Sequence, residues 1–583
     1  MVVKESKILA TTSLQSTWGS NKRVVFLGEW CKEYLERPKW LDRNFATLSW
    51  HWGDRAKIKR DYDYLKDLYE DTLRQLVPKL NSIHGVNYSL RYWRIILGPW
   101  LYVYISAIWD RWENINAVAS LDIELETIIP DRAICRHVAN DYGYAMGLIK
   151  SCDEWNYLVY CDILQSQSLS KVTLINRRVA LKKENAMKVG RDSWRKSIVK
   201  IFDFVARRVQ STDNYNFILY KSNFSLMNLI RLYLNLKQIF RFHVEFDKKI
   251  QHGELNHSMR NEVEITSSGT HFERFLFQSI PKDIPKSYIE GYRDLSSYCV
   301  FLPNAKIIMT AIAHFGNDVF KVWTAKQVDK GSKLIVSEHG GAIPTEIPSF
   351  FKHEEDICDK KITWHIPLES SQVRLPPSKL KKIRIKPNKG KILLVSLDAP
   401  KHSGRCISGV SGPLILDEFK QKCDFIDGLN EKVLTNFKIR AYQKAIWNTR
   451  LMYSDKYGED TIAITKTLHQ DYSQSKLIIC SYPQTTFSEA MYSGAPTILL
   501  YIEQYWETSP DFDSLILELK KAGIIYSDPG EAATHVNNIC NNPMEWWNKK
   551  ETIRARNMFF DMCVKVSSDP VVEWSNFFKN TLK

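Results

Sequence analysis

No cysteine of this chain sits in a Cys-x-x-Cys pair or at a cysteine–histidine spacing that suits zinc; the eleven, from Cys31 to Cys563, stand singly. That argues against a metal ribbon or a disulfide scaffold, so the cysteines are expected to be reduced core thiols. Also missing are G-x-x-x-x-G-K-[ST], a paired G-x-G-x-x-G, H-E-x-x-H and G-x-S-x-G. Their absence argues against standard NTPases, dehydrogenases, zincins and α/β-hydrolases. Neither a metal nor a cofactor is expected. The longest apolar run, Ile95 to Trp109, falls short of the about 20 residues that a bilayer span needs. Gly98-Pro99 near its start suggests a loop leading into a buried helix. The first residues, Met1 to Lys7, lack an apolar run and a small-residue cleavage site, so a cytoplasmic location is expected. No internal repeat and no low-complexity tract is present.

What is present is a long chain of ordinary globular composition. At 583 residues it exceeds what one core of about 250–300 residues accommodates, and two large domains are expected. Hydrophobic residues make up 44% and charged residues 25%, values at which the whole chain should fold. The formal charge of +15 favours anionic partners. Zinc-finger, basic-zipper and aromatic RNA-binding signatures are lacking, so nucleic acid is not expected among them. Sugar nucleotides and an anionic membrane surface are.

Short apolar runs bounded by turn residues mark strands at Ile8 to Thr12 and Val24 to Gly28. Mixed segments at helical spacing follow, from Arg60 to Leu80 and from Ala186 to Phe246, and are expected to be helical elaborations. Ala305 to Thr310 and Lys333 to Ser337, with a helical stretch from Asp318 to Asp329 between them, form a βαβ pattern. Pro376, Pro377 and Pro387 among Lys379, Lys381, Lys382, Arg384 and Lys386 are linker chemistry. New strands begin at Gly390 to Ser396 and continue at Phe437 to Arg440, Lys476 to Cys480 and Pro496 to Ile502. The expected plan is α/β, with two Rossmann-like domains facing a cleft. It comprises a first α/β domain with helical insertions over 1–375, a linker over 376–390, and a smaller Rossmann-like domain over 391–560, which the resemblance described below makes the acceptor side and the nucleotide-sugar side respectively. A C-terminal helix over 561–583 is expected to pack back on the first domain.

The most informative stretch runs from Leu477 to Leu500: strand, turn, short helix, Gly494-Ala495-Pro496, strand. A helix starting near Thr486 would aim free N–H groups and its positive end at the sheet's carboxyl edge, where a donor phosphate is stabilised. Thr485 and Thr486 add hydroxyls, and Glu489, one turn on, suits the vicinal hydroxyls of a ribose. The same Thr486-Phe487-Ser488-Glu489 is also a T-x-x-E capping box that needs no ligand. Ser396 and Arg440, at strand ends, complete the expected donor set.

Ser337-Glu338-His339-Gly340-Gly341 follows a strand. Its glycines, Gly340 and Gly341, permit close backbone approach to the cleft, and His339 suits base catalysis or hydrogen bonding to a leaving phosphate. Adjacent Glu338 is expected to raise the pKa of His339. Asp54 and Asp141 are the candidate carboxylates elsewhere, although each also suits a helix cap.

Several segments together resemble a known family. They are Leu9-Ala10-Thr11-Thr12, Phe26-Leu27-Gly28-Glu29-Trp30-Cys31, Arg91 to Trp100, Asp153-Glu154-Trp155-Asn156, His339-Gly340-Gly341, Thr485 to Ala490 and Glu545-Trp546-Trp547-Asn548. The family is that of transferases from bacterial surface-carbohydrate clusters, of the type first described from Leptospira, with glycosyltransferase-B architecture. The chain departs from that pattern at Glu338, where the family has Gln, and at Arg440-Ala441-Tyr442-Gln443, where it has an Arg-Leu-Tyr-Pro-like strand end. The resemblance implies transfer of a sugar from a nucleotide donor to a surface glycan, by analogy a CMP-activated Kdo or nonulosonic acid. It further implies a glycan or lipid-linked glycan acceptor and peripheral association with the inner face of the cytoplasmic membrane. Domain closure is expected to assemble the site. The rival readings are a polyol-phosphate transferase of similar fold and a non-catalytic scaffold that binds glycan or lipid.

Overall fold

The computed structural model describes residues 7–19, 23–181, 214–266, 268–341, 343–380, 390–442 and 446–583. Three five-stranded sheets form its frame, and the paired strands within them run parallel. The first contains β1 (Lys7–Ala10), β2 (Val24–Phe26), β3 (Asn44–Thr47), β4 (Leu125–Pro130) and β5 (Val172–Arg177), in the order β3-β2-β1-β4-β5. The second contains β6 (Asn214–Leu219), β7 (Asn304–Thr310), β8 (Lys333–Ser337), β9 (Lys360–Thr363) and β10 (Gln372–Arg374), in the order β10-β9-β8-β7-β6. The third contains β11 (Lys391–Val395), β12 (Phe437–Arg440), β13 (Ser475–Cys480), β14 (Thr497–Leu500) and β15 (Ile525–Tyr526), in the order β12-β11-β13-β14-β15. Central strands are buried along most of their length, because helices cover both faces of a parallel sheet.

The α/β class thus holds, but three sheets stand where two were expected. The first 375 residues supply two of them, and part of the segment read as helical, Ala186 to Phe246, is strand β6. The remainder of that segment up to residue 213 lies outside the described residues, as do 381–389 of the linker.

Two 30-residue helices, α1 (Arg55–His84) and α2 (Leu90–Ala119), pack on each other in the N-terminal half. Asp54 caps α1, accepting from the N–H groups of Ala56 and Lys57. Asp141 caps α3 (Tyr142–Ser151) in the same way through the N–H of Tyr144. The loop expected at Gly98-Pro99 is instead interior helix: α2 starts at Leu90, capped by Ser89, and runs through Pro99. An interior proline costs about 3 kcal/mol, which the burial of Trp93, Ile96, Trp100, Tyr104 and Ile108 outweighs. Gly98 is required there, since a Cβ would come within 2.7 Å of the Tyr69 hydroxyl and 2.8 Å of His353. The helix touches α4 (Asp153–Gln167), which precedes β5, and α5 (Asp318–Asp329), which follows β7, and so joins the first two sheets. Among the described residues no helix is long and apolar enough to cross a membrane.

The third sheet is tied to the first by a strap, residues 401–412, that leaves β11. Lys401 Nζ lies 2.5 Å from Asp153, 2.9 Å from Glu33 and 2.9 Å from Ser13 Oγ, and His402 Nε2 lies 3.0 Å from Asp153. Fully buried Arg111 donates to the carbonyl of Ser403, to Asn156 at 3.0 Å and to Asp110 at 2.9 Å. Tyr102 donates to the carbonyl of Cys406 at 3.2 Å. The second sheet is closed from the far end of the chain, where α6 (Pro570–Leu582) buries Trp574 and Phe578 on the cluster of Phe217, Ile307 and Ile335.

The strap carries a pH signature. Burial, against the pull of Asp153, drives the imidazole of His402 down to about 4. Between an ordinary value near 6.5 and that value the unfolded chain binds the extra proton, so stability falls as pH falls. Asp153 acts in the same sense: burial alone would raise its carboxyl, but His402 and Lys401 hold it far below the ordinary range. Its stabilisation is complete above the unfolded value and is lost as acid overtakes the folded one. Thermal unfolding between pH 7 and pH 4.5 should therefore show a loss on the order of 2–3 kcal/mol from His402, and His402→Gln should flatten that limb.

Candidate active site

Helix α7 here denotes Thr485–Ser493, in the third sheet between β13 and β14. The capping-box reading of Thr486 to Glu489 is overturned by the geometry. Gln484 occupies the N-cap, no side chain caps the helix, and Thr486 is already inside the first turn. The N–H groups of Thr485 and Thr486 thus have no side-chain cap, and the positive end of the helix lies behind them. The Thr486 hydroxyl is buried without a well-formed hydrogen bond, beside the Tyr482 hydroxyl. A cavity of about 370 Å³ opens there, bordered by Val395, Ser396, Arg440, Tyr442, Tyr482 and Thr486. It lies outside the carboxyl ends of β11, β12 and β13, at the point where strand order reverses, which is where open α/β sheets bind ligands.

Arg440 borders this cavity, yet its Nη1 is engaged elsewhere. It lies 2.6 Å from the carbonyl of Thr465, 3.1 Å from Thr465 Oγ1 and 3.0 Å from Asp471. The side chain frames the pocket by holding the 465–471 segment. Ser396 Oγ lies 3.3 Å from the carbonyl of Leu397, so it too is turned into the frame.

The loop after β8 closes directly on α7. A Cβ at Gly340 would stand 2.0 Å from Thr485 Oγ1, Ser488 Oγ donates to the carbonyl of Gly341 at 2.8 Å, and Ile343 N donates to Pro483 at 3.3 Å. Chemistry that the sequence places about 145 residues apart is therefore one contiguous surface.

His339 is exposed at this junction, and Asn223 sets its tautomer. Asn223 Nδ2 lies 3.2 Å from the His339 carbonyl, which can only accept, so this amide nitrogen is a donor. The same nitrogen lies 3.0 Å from Nδ1, which must then accept, leaving the proton of the neutral ring on Nε2. Desolvation, followed by the charge of Lys379, lowers the pKa of His339. The ring is thereby a neutral Nε2–H donor near pH 7. Glu338, expected to raise that pKa, faces another way: Oε2 accepts from Trp364 N at 2.7 Å and Oε1 lies 3.2 Å from His365 Nε2. It is His365 whose pKa Glu338 lifts, against the desolvation of the ring.

Lys379 is the residue that sequence reasoning placed in a linker. Its Nζ lies 3.3 Å from Glu489 Oε1, and its charge acts on His339. It stands between the histidine and the carboxylate expected to hold a ribose. Asn223 was also missed, in the loop after β6. A basic residue beside Pro376-Pro377 and an asparagine in a loop carry no periodic signal, so only the fold reveals them. Asp54 and Asp141 are not among the residues that border either cavity at the junction.

On the other side of His339 a cleft of about 670 Å³ runs between the second and third sheets. It is lined among others by Phe315, Gly340, Glu354, His365, Arg405 and Trp506. An uncapped helix start, a neutral imidazole donor and two cavities thus meet at one junction of an α/β fold. The chain belongs to the LIC12162 family transferases, whose model matches residues 7–578. Among curated proteins there is no match. Among solved structures, a mutant O-GlcNAc transferase from Thermobaculum terrenum aligns over 90% of this chain and 98% of its own. Its sequence identity is 12% and its TM-score 0.31.

Proposed function

We propose that this protein is a glycosyltransferase that moves a sugar from a nucleotide donor to a glycan acceptor. The observation that carries the reading is the clasp of His339-Gly340-Gly341 on the uncapped start of α7, with a cavity on each side. The nucleotide occupies the cavity at Ser396, Tyr442 and Tyr482, with Glu489 on its ribose. Its phosphate meets the N–H groups of α7, the Thr486 hydroxyl and Lys379. His339 Nε2–H donates to the phosphate as negative charge builds on it, and the acceptor enters from the 670 Å³ cleft. By analogy with the family, the sugar is a CMP-activated Kdo or nonulosonic acid.

Calorimetry with CMP, CDP, UDP and GDP on the intact protein tests the donor site. Glu489→Gln and Thr486→Val should each weaken the preferred nucleotide tenfold or more, because each removes one directed hydrogen bond. Unchanged affinity in folded variants would place the nucleotide elsewhere. Mass spectrometry of products with the matching sugar nucleotide then identifies what is transferred.

A further inference from the structure

A further cavity, of about 470 Å³, lies in the N-terminal half and shares no lining residue with the two at the His339 junction. It opens past the carboxyl end of β4: Pro130, the last residue of that strand, borders it, as do Arg132 to Arg136 of the loop that follows. In the order β3-β2-β1-β4-β5 the strand numbering reverses between β1 and β4, so this is the ligand-binding edge of the first sheet, as the cavity at Ser396 is of the third. Its size falls within the about 300–1,000 Å³ of small-molecule sites. The floor is apolar: Val138, Leu158, Cys161 and Pro281 are buried there, and Leu158 and Cys161 continue into a cluster with Ile129 and Tyr157. Arg136 and Arg260, each more than nine-tenths buried, stand in the wall. Asp283 and Asp162 fix Arg136, while Glu290 and the carbonyls of Pro281 and Ile284 fix Arg260. A guanidinium has five N–H groups, and these contacts leave Arg136 one unused at Nη1 and one at Nη2. The rim carries Arg132 and Lys282, both exposed and in no ion pair among the described residues. Asp162, the carboxylate that borders the cavity, is paired with Arg136.

We propose that this cavity is a second ligand site, for an amphipathic anion: an apolar chain that carries one phosphate or carboxylate. The chain lies on the floor of Val138, Leu158, Cys161 and Pro281, which removes both apolar surfaces from water. The head group meets Arg132 and Lys282 at the rim, two charges that no carboxylate answers, and takes charge-assisted hydrogen bonds from the unused N–H groups of Arg136, a guanidinium already held in place. Neither half suffices alone. A bare anion at exposed cations is screened by salt, and a neutral chain leaves the rim charges unanswered. The site goes beyond the glycosyltransferase reading and does not depend on it, since no residue of the donor cavity or of the cleft takes part.

The intact protein carries its own probe: Cys135 is the one exposed cysteine of the eleven, and it borders the cavity. Octyl phosphate and octanoate, each below its micelle concentration, should slow alkylation of Cys135 by iodoacetamide in proportion to occupancy, as read by mass spectrometry. Whichever acts at the lower concentration identifies the head group. In calorimetry inorganic phosphate and octanol, the head and the chain alone, should each bind at least about tenfold more weakly; equal binding by either overturns the proposal. Arg132→Gln with Lys282→Gln alters exposed side chains only, so the fold should persist, and the pair should weaken the better anion about tenfold while CMP affinity stays unchanged. Ala133→Trp, at another exposed lining position, fills the cavity and should abolish binding of the anion. Unchanged binding in either folded variant overturns the proposal, as does labelling of Cys135 that ignores the anion, or an anion displaced by CMP. Octyl phosphate that binds while no nucleotide does, or the reverse, separates failure of the donor assignment from failure of this one.

Discussion

His339→Ala should lower turnover by about 10²–10³-fold while nucleotide affinity changes less than threefold. That is the range seen when one directed donor to a developing oxyanion is removed. The expectation follows from the tautomer: with Nδ1 occupied by Asn223, the neutral ring offers a proton on Nε2 and no lone pair on that nitrogen. The pH profile distinguishes a donor from a base. A base loses activity as pH falls through its pKa, whereas the imidazolium still donates, so kcat should show no acid limb traceable to His339. Asn223→Ala, which frees the tautomer, should lower kcat several-fold and leave KM in place. An acid limb that disappears in His339→Gln would reverse the assignment and make the ring a base.

Gly340→Ala should damage both stability and nucleotide binding. The added Cβ would lie 2.0 Å from Thr485 Oγ1 and 3.1 Å from Thr485 Cβ, and Thr485 has little freedom because it opens a helix and is β-branched. Either the loop or the helix start must move. The expected cost is about 1–3 kcal/mol of stability together with at least a tenfold loss of nucleotide affinity. Thr485→Ala in the same chain removes the closest atom and should restore part of both. Calorimetric binding and thermal unfolding of the single and double variants settle the matter; wild-type behaviour of Gly340→Ala would mean that the clasp is loose.

Much of the scaffold was legible where the chain spells its burial in consecutive letters. Ile392 to Val395, Leu477 to Cys480 and Thr497 to Leu500 are continuous apolar runs, as strands covered on both faces must be. The missed strands lack that signature. Asn44–Thr47 and Val172–Arg177 flank the first sheet and stay partly exposed, and Gln372–Arg374 is a three-residue edge. Interior strands β4 and β9 were overlooked with them, and two sheets passed for one. In the candidate site, Thr485, Thr486, Glu489 and His339 were singled out because a strand-turn-helix pattern and a pair of glycines draw attention to them. Lys379 and Asn223 act through position alone, and position is a property of three packed sheets. Arg440, a basic residue at a strand end, does border the cavity, and the fold also gives its Nη1 to Asp471 and Thr465.

The strap bears on how substrates come and go. Swinging the third sheet away from the first would pull Lys401 and His402 off Asp153 and strip the Ser403 carbonyl from a fully buried arginine. Both partners would then meet water again, which returns part of the desolvation cost of burying them. Closure of whole domains, the motion first expected to assemble the site, must therefore either break these contacts or pivot about them. With the strap intact the first and third sheets move as one body, and their separation in solution should be the same with or without nucleotide.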